Sequence, residues 1–282
     1  MAGTKLEYSA DKTGVCLSVL LEVVAILGAY RGSVAIVGGW VPYFLVPARA
    51  SRHVGSTDVD LALDFASITD DNYASIRKLL EEHGYEQAKD HPYKFVRTLA
   101  DPSGRDVQVS VDLLAGEYGG TGGSHRSQMV QDVRAHKARG CDLVFDSMLP
   151  VTVRGQMPNG ATNEVTINVA GVVPFLVMKA NALWERLKAK DAYDIYFIVS
   201  EYPGALAALV EAFRPFSANK LVLEGLGKIR AKFSGVDSLG PTSVAEFLEE
   251  YDADERERIH RDVFERINAL LDAMEIVPFE EG

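Results

Sequence analysis

Asp58 and Asp60 stand two residues apart in Gly55-Ser56-Thr57-Asp58-Val59-Asp60-Leu61-Ala62-Leu63-Asp64. Successive side chains of a strand point to opposite faces, so Val59, Leu61 and Leu63 would enter a core while both carboxylates share the other face. Side-by-side carboxylates repel unless a cation lies between them, and a hard divalent ion such as Mg²⁺ takes oxygen ligands. The same alternation also describes an ordinary strand with one solvated face.

Three further features carry chemistry of the same kind. Val37-Gly38-Gly39-Trp40 falls between a strand and a helix, where paired glycines let a phosphate approach backbone N–H groups; a plain tight turn uses the same residues. Asp112 ends the run Val107-Gln108-Val109-Ser110-Val111, whose valines take one face and whose polar residues take the other. If that strand neighbours Asp58–Leu63, three carboxylates converge into a ligand set suited to two Mg²⁺ ions in phosphoryl transfer; otherwise Asp112 faces solvent. Finally, Lys179, Arg186 and Lys190 are spaced by seven and four residues, with Asp194 one turn further on. On one helix from Val172 to Val199 they share a face. That stripe of cations suits a triphosphate, or it is a solvated face with an ordinary Lys190–Asp194 pair. Lys179 reads as exposed, so its removal is expected to leave the fold intact.

The elements that must position these residues are legible from periodicity. Strand patterns run over Ser33–Val37, Asp58–Leu63, Lys94–Ala100 and Asp106–Leu114, with a helix from about Asp71 to Gly84. Pro102-Ser103-Gly104 reads as a hairpin turn, and Pro158-Asn159-Gly160 joins Pro150–Arg154 to Glu164–Val169. After Gly171 helical patterns take over: Val172–Val199, Gly204–Ala212, Ser217–Lys232, Ser243–Glu250 and Ala253–Met274. The expectation is an α+β chain of two domains. Residues 1–170 would form a mixed β-sheet flanked by helices, and residues 171–282 a helical domain carrying Lys179.

Composition narrows the class. A length of 282 residues with 47% hydrophobic content suits one large core or two modest ones, and a net charge of −11 argues against a surface that binds nucleic acid everywhere. Two basic stretches stand against that charge. Arg49, Arg52 and His53 lie between the glycine turn and Asp58, where they form either an active-site loop or a solvated insertion, and Arg134–Arg139 reads as a basic helix face. Gly116 to Gly123 is a glycine-rich loop. Cys16 and Cys141 match no metal spacing and read as buried thiols of a reducing compartment. Val15 to Tyr30 contains Glu22 and lacks a basic leader, so it reads as an amphipathic helix and neither a signal peptide nor a membrane span; a cytoplasmic protein with no membrane partner is expected.

A glycine pair opening a helix, Asp-x-Asp on the next strand and a third Asp on a later strand resemble the DNA polymerase β-like nucleotidyltransferases. The segment Lys190-Asp191-Ala192-Tyr193-Asp194 resembles the abortive-infection AbiEii-like branch, which pairs this core with a helical C-terminal half. The resemblance implies that Asp58, Asp60 and Asp112 bind Mg²⁺ or Mn²⁺, with Asp112 also helping to deprotonate an attacking hydroxyl. It further implies that Gly38 and Gly39 contact nucleotide phosphates, and that Lys179 binds the triphosphate with Lys190, Asp191 and Asp194 beside it. Two departures are visible. Trp40 stands where the superfamily usually has serine, so Ser56 or Thr57 would supply the phosphate-binding hydroxyl, and the gap between Gly39 and Asp58 is longer than usual.

The function so implied is transfer of a nucleoside monophosphate from an NTP to an acceptor hydroxyl, with release of pyrophosphate. The implied acceptor is RNA, a tRNA 3′ end foremost, and the implied role is the toxin of a toxin–antitoxin pair with a cognate antitoxin as partner. Transfer to an aminoglycoside-like small molecule or to a protein, and nucleotide binding without transfer, remain open on the residues alone.

Overall fold

Ser9 caps the first helix: its hydroxyl accepts from the Lys12 N–H, and α1 (Ala10–Ile26) then buries Val15, Cys16, Val19, Leu20, Leu21 and Val23. The computed structural model describes residues 3–48, 53–64, 67–68, 75–117, 127–130 and 133–280. The chain divides into two compact units, Tyr8–Val41 with Gly55–Gly171, and Met1–Glu7 with Pro42–Val54 and Val172–Gly282.

The first unit is built on a sheet. Its strands are β1 (Val34–Val37), β2 (Asp58–Leu63), β3 (Glu86–Gln87), β4 (Lys94–Ala100), β5 (Asp106–Ala115), β6 (Ser127–Val130), β7 (Val133–Lys137), β8 (Leu149–Gln156) and β9 (Thr162–Val169). They run in the order β3-β4-β5-β2-β1-β9-β8, with β7 beside β5 and β6 beside β7. The sheet is mixed, since β2–β5, β1–β9 and β5–β7 are parallel and the other pairs antiparallel. Helix α1 lies against β2, β4, β5, β8 and β9. Both glycine turns read from the sequence are hairpins, β4–β5 and β8–β9. α2 (Val41–Leu45), which follows the Gly38–Trp40 turn, belongs from Pro42 onward to the second unit, and α3 is Ile76–Glu82, shorter than expected within the described residues.

One reading of this unit is corrected. The basic run Arg134–Arg139 is not a helix face: Val133–Lys137 is strand β7, with Ala135 buried. Its backbone groups find partners on β5 and β6, a pairing that outweighs the local helical preference of Ala, Lys and Arg. The short strands β3 and β6 carried no pattern long enough to read. Of the glycine-rich loop, and of the basic insertion at Arg49 and Arg52, most lies outside the described residues.

The second unit is helical: α4 (Val172–Arg186), α5 (Ala189–Glu201), α6 (Ala205–Phe213), α7 (Lys220–Lys232), α8 (Leu239–Leu248) and α9 (Ala253–Ala273). Asn219 and Asp252 cap α7 and α9 through their side-chain oxygens. α9 buries His260, Val263, Ile267, Leu270 and Leu271, a helical stripe, whereas α5 is buried along nearly its whole length. Gly225 lets α7 approach α4 closely, because a Cβ there would lie 3.2 Å from the Val177 Cα.

The expected single helix from Val172 to Val199 is corrected. It breaks at Leu187, which takes a left-handed φ of 50°, and Lys188 is extended before α5 begins. No glycine or proline marks the break, which is why periodicity ran across it. The chain is α+β, and among the described residues no single helix is long and apolar enough to cross a membrane. Cys16 and Cys141 are buried free thiols.

Candidate active site

Strand register brings the carboxylates of the sheet unit into one array. β2 and β5 are parallel neighbours, with Asp58 opposite Ser110 and Asp60 opposite Asp112. Paired residues share a face, so Asp58, Asp60, Ser110 and Asp112 lie together, while Val59, Leu61, Val111 and Leu113 are fully buried on the other side. β4 extends the row, because Lys94 lies opposite Asp112 and its Nζ donates to Asp112 Oδ2 at 2.9 Å. Asp112 Oδ1 is buried and has no hydrogen-bond partner among the described residues. Burial pushes the Asp112 carboxyl above the usual carboxylate range; Lys94 opposes that shift and Asp58 adds to it.

The residues around the pair hold it in place. Ser56 Oγ donates to Asp58 Oδ1 at 2.5 Å, so the hydroxyl considered for phosphate contact orients a carboxylate instead. Thr57 beside it is half-buried. Gly38 follows β1 with φ at 68°, and a Cβ on it would lie 1.9 Å from Asp60 Oδ2. Only glycine suits that position, both for the left-handed backbone and for the carboxylate that fills the missing side chain's space. Trp40, where the resemblance implies serine, is buried; its Nε1–H points to the Asp58 carbonyl at 3.0 Å and to Cys16 Sγ at 3.4 Å. Burial raises the Cys16 thiol pKa, so Cys16 packs as an apolar group rather than a nucleophile.

Three carboxylates with an unpartnered buried oxygen form the donor set that a hard divalent cation takes. They are not closed around one point: among the described residues no three His, Cys, Asp or Glu side chains gather tightly enough to hold an ion. One oxygen of Asp112 is turned to the Lys94 ammonium instead.

The remaining sequence candidates lie in the helical unit, and they are buried. Lys179 is 6% exposed, with Nζ 2.8 Å from Asp191 Oδ1 and 2.7 Å from Asp194 Oδ2. Lys190 Nζ meets both Asp194 oxygens at 2.9 Å, and Arg186 grips Asp191 through Nε at 2.8 Å and Nη2 at 2.9 Å. The expectation that Lys179 is exposed is therefore overturned. The helix break at Leu187 lets α5 present Asp191 and Asp194 to a lysine of α4, and buried charges persist only when paired. The two lysines hold Asp194 well below the usual carboxylate range, against the effect of burial.

His53 completes this network. Its Nε2 lies 2.9 Å from Asp194 Oδ1, and its ring stacks on Tyr193 at 5.7 Å and meets Phe197 edge-on at 4.8 Å. The sequence marked His53 only as part of a basic stretch. Lys94 was missed, although the hairpin turn at Ser103 sets its register opposite Asp112 and a count back from that turn would have found it.

Among curated proteins none matches this sequence. Two crystal structures from Helicobacter pylori are distantly similar. JHP933 is 12% identical with a TM-score of 0.45 over 94% of each chain. A proposed nucleotidyltransferase is 11% identical with a TM-score of 0.44, over 90% of this chain and 96% of that one. The family model for the nucleotidyl transferase AbiEii toxin of type IV toxin–antitoxin systems matches residues 50–273. That span includes Asp58, Asp60, Asp112 and the whole Lys179–Asp194 network, and the chain is thereby a nucleotidyltransferase belonging to the AbiEii toxin family.

Proposed function

We propose that this nucleotidyltransferase moves a nucleoside monophosphate from an NTP to a hydroxyl of RNA, a tRNA 3′ end foremost, using Asp58, Asp60 and Asp112 with Mg²⁺ or Mn²⁺. The observation that carries the reading is the row Asp60–Asp112 on neighbouring parallel strands, with Asp58 on the same face and Asp112 Oδ1 buried without a partner. Three clustered acids raise the energy of an empty site, and binding alone gives little reason to keep them.

A bound divalent ion would supply charge neutralisation at the α-phosphate and the leaving pyrophosphate. The chain's own residues do the positioning. Ser56 fixes the orientation of Asp58, and Gly38 leaves room for Asp60 beside backbone that a phosphate can approach. Asp112 Oδ1 is the acceptor for the proton of the attacking hydroxyl, and its raised proton affinity suits that task. In the helical unit, Lys179, Arg186 and Lys190 set three cations against the carboxylates of Asp191 and Asp194. The surplus positive charge, carried by the half-exposed Arg186, is what would draw a triphosphate to that network. An RNA acceptor and two unpaired thiols fit a cytoplasmic reaction, with an antitoxin as the partner that restrains it.

The test is incubation of the purified protein with each labelled NTP, Mg²⁺ and total RNA, beside Asp58→Ala and an EDTA control. Label in tRNA-sized RNA with wild type alone supports the proposal. Label that survives Asp58→Ala rejects the site, and label found only on protein or on an added aminoglycoside rejects the RNA acceptor.

A further inference from the structure

Lys94 sits where a cation should be. The row across β2, β5 and β4 reads Asp60, Asp112, Lys94, and the ammonium takes Asp112 Oδ2 at 2.9 Å while Oδ1 is left bare. The lysine side chain is 28% exposed and the aspartate 15%, so the pair is sheltered without being sealed. Asp58 on β2 and His136 on β7 also act on Asp112, and Asp60 lies opposite it on β2. We propose that Lys94 is a built-in competitor of the divalent cation: its ammonium neutralises Asp112 in the resting enzyme and must leave before the third carboxylate can join Asp58 and Asp60. This rests on the reading of those three acids as metal ligands.

Two observations favour exchange over a merely structural pair. Among the described residues no three ligating side chains are gathered as a metal cluster, and one of the Asp112 oxygens is held by Lys94. Lysine is also suited to leaving, because its charge is a compact, strongly hydrated point on a flexible four-carbon stem, unlike the bidentate fork of arginine. A metal that displaces it gains Oδ2, the Asp112 oxygen that Lys94 now holds, and leaves Oδ1 for the proton of the attacking hydroxyl.

The experiment is Mn²⁺ binding without nucleotide, read from the electron paramagnetic resonance signal of the free ion, so that no catalytic turnover is needed. Lys94→Met should bind Mn²⁺ about tenfold or more tightly than wild type, the scale of one charge-assisted contact, and Lys94→Gln should move the same way. Lys94→Arg should bind no better than wild type. Circular dichroism checks that each variant is folded. Unchanged or weaker binding in both Lys94→Met and Lys94→Gln, with Asp112→Asn still weakening it, overturns the competition alone. Mn²⁺ binding that ignores Asp112→Asn overturns the metal-site reading itself and the competition with it.

Discussion

Replacing Lys179 by methionine separates two accounts of the helical unit. An exposed phosphate-binding lysine could be lost for less than about 0.5 kcal/mol. Instead, Lys179 is 6% exposed and bridges Asp191 and Asp194 at 2.8 and 2.7 Å. Removing one partner of a buried ion pair costs about 3–5 kcal/mol, because the other charge is left without compensation. Here the carboxylates keep other partners: Asp191 retains Arg186, and Asp194 retains Lys190 and His53. The cost should therefore fall at the lower end, about 3 kcal/mol. Methionine keeps the unbranched stem and fills most of the space, so little cavity energy is added. Asp194→Asn is the reverse perturbation. It leaves Lys190 without a carboxylate and Lys179 with Asp191 alone, so it should cost about 5 kcal/mol. Urea titration followed by far-UV circular dichroism, which the helical unit dominates, measures both. A Lys179→Met change within about 0.5 kcal/mol of wild type would refute the argument, as would an Asp194→Asn that is the milder of the two.

Two further outcomes follow from the geometry. Burial depresses the His53 pKa below 6.5, as do Lys190 and Lys179, against the pull of Asp194. The folded protein thus resists a proton that the unfolded chain accepts. His53 contributes fully above about pH 6.5, and that contribution is lost as pH falls, by up to about 1.4 kcal/mol per unit. The stability gap between wild type and His53→Gln should be constant above pH 7 and narrow by about 1 kcal/mol between pH 6.5 and 5.5; parallel curves would exclude it. Gly38→Ala should lower transfer activity at least about 100-fold, since its Cβ would displace Asp60. Gly104→Ala carries a similar backbone strain at φ 81° with nothing within 4 Å, so it should lose stability of about 1–2 kcal/mol and keep activity.

Much of the sheet unit was legible because strand patterns and hairpin turns are local. Asp58–Leu63 was read with the bounds it has, and so was the face shared by its two acids. The adjacency of Asp60 and Asp112 could be written only as a condition, since β2 and β5 are parallel strands separated by more than forty residues of chain. Lys94 was within reach of the hairpin register, yet it drew no attention because a lysine on a strand is ordinary until its partner is known.

The helical unit shows where local information stops. The spacing of Lys179, Arg186 and Lys190 was real, but the shared face was inferred for a helix that breaks at Leu187, and a leucine with positive φ sends no signal. Nor does a charge reveal from sequence whether it meets water or a counterion. Residue types and their order determined the class, the α+β pattern and the acids at issue, because periodicity and turn chemistry act over a few residues. Tertiary structure decided which carboxylates share a row, that an ammonium holds one of them, and that Lys179 is buried. Those depend on the dielectric and the partners that distant segments bring.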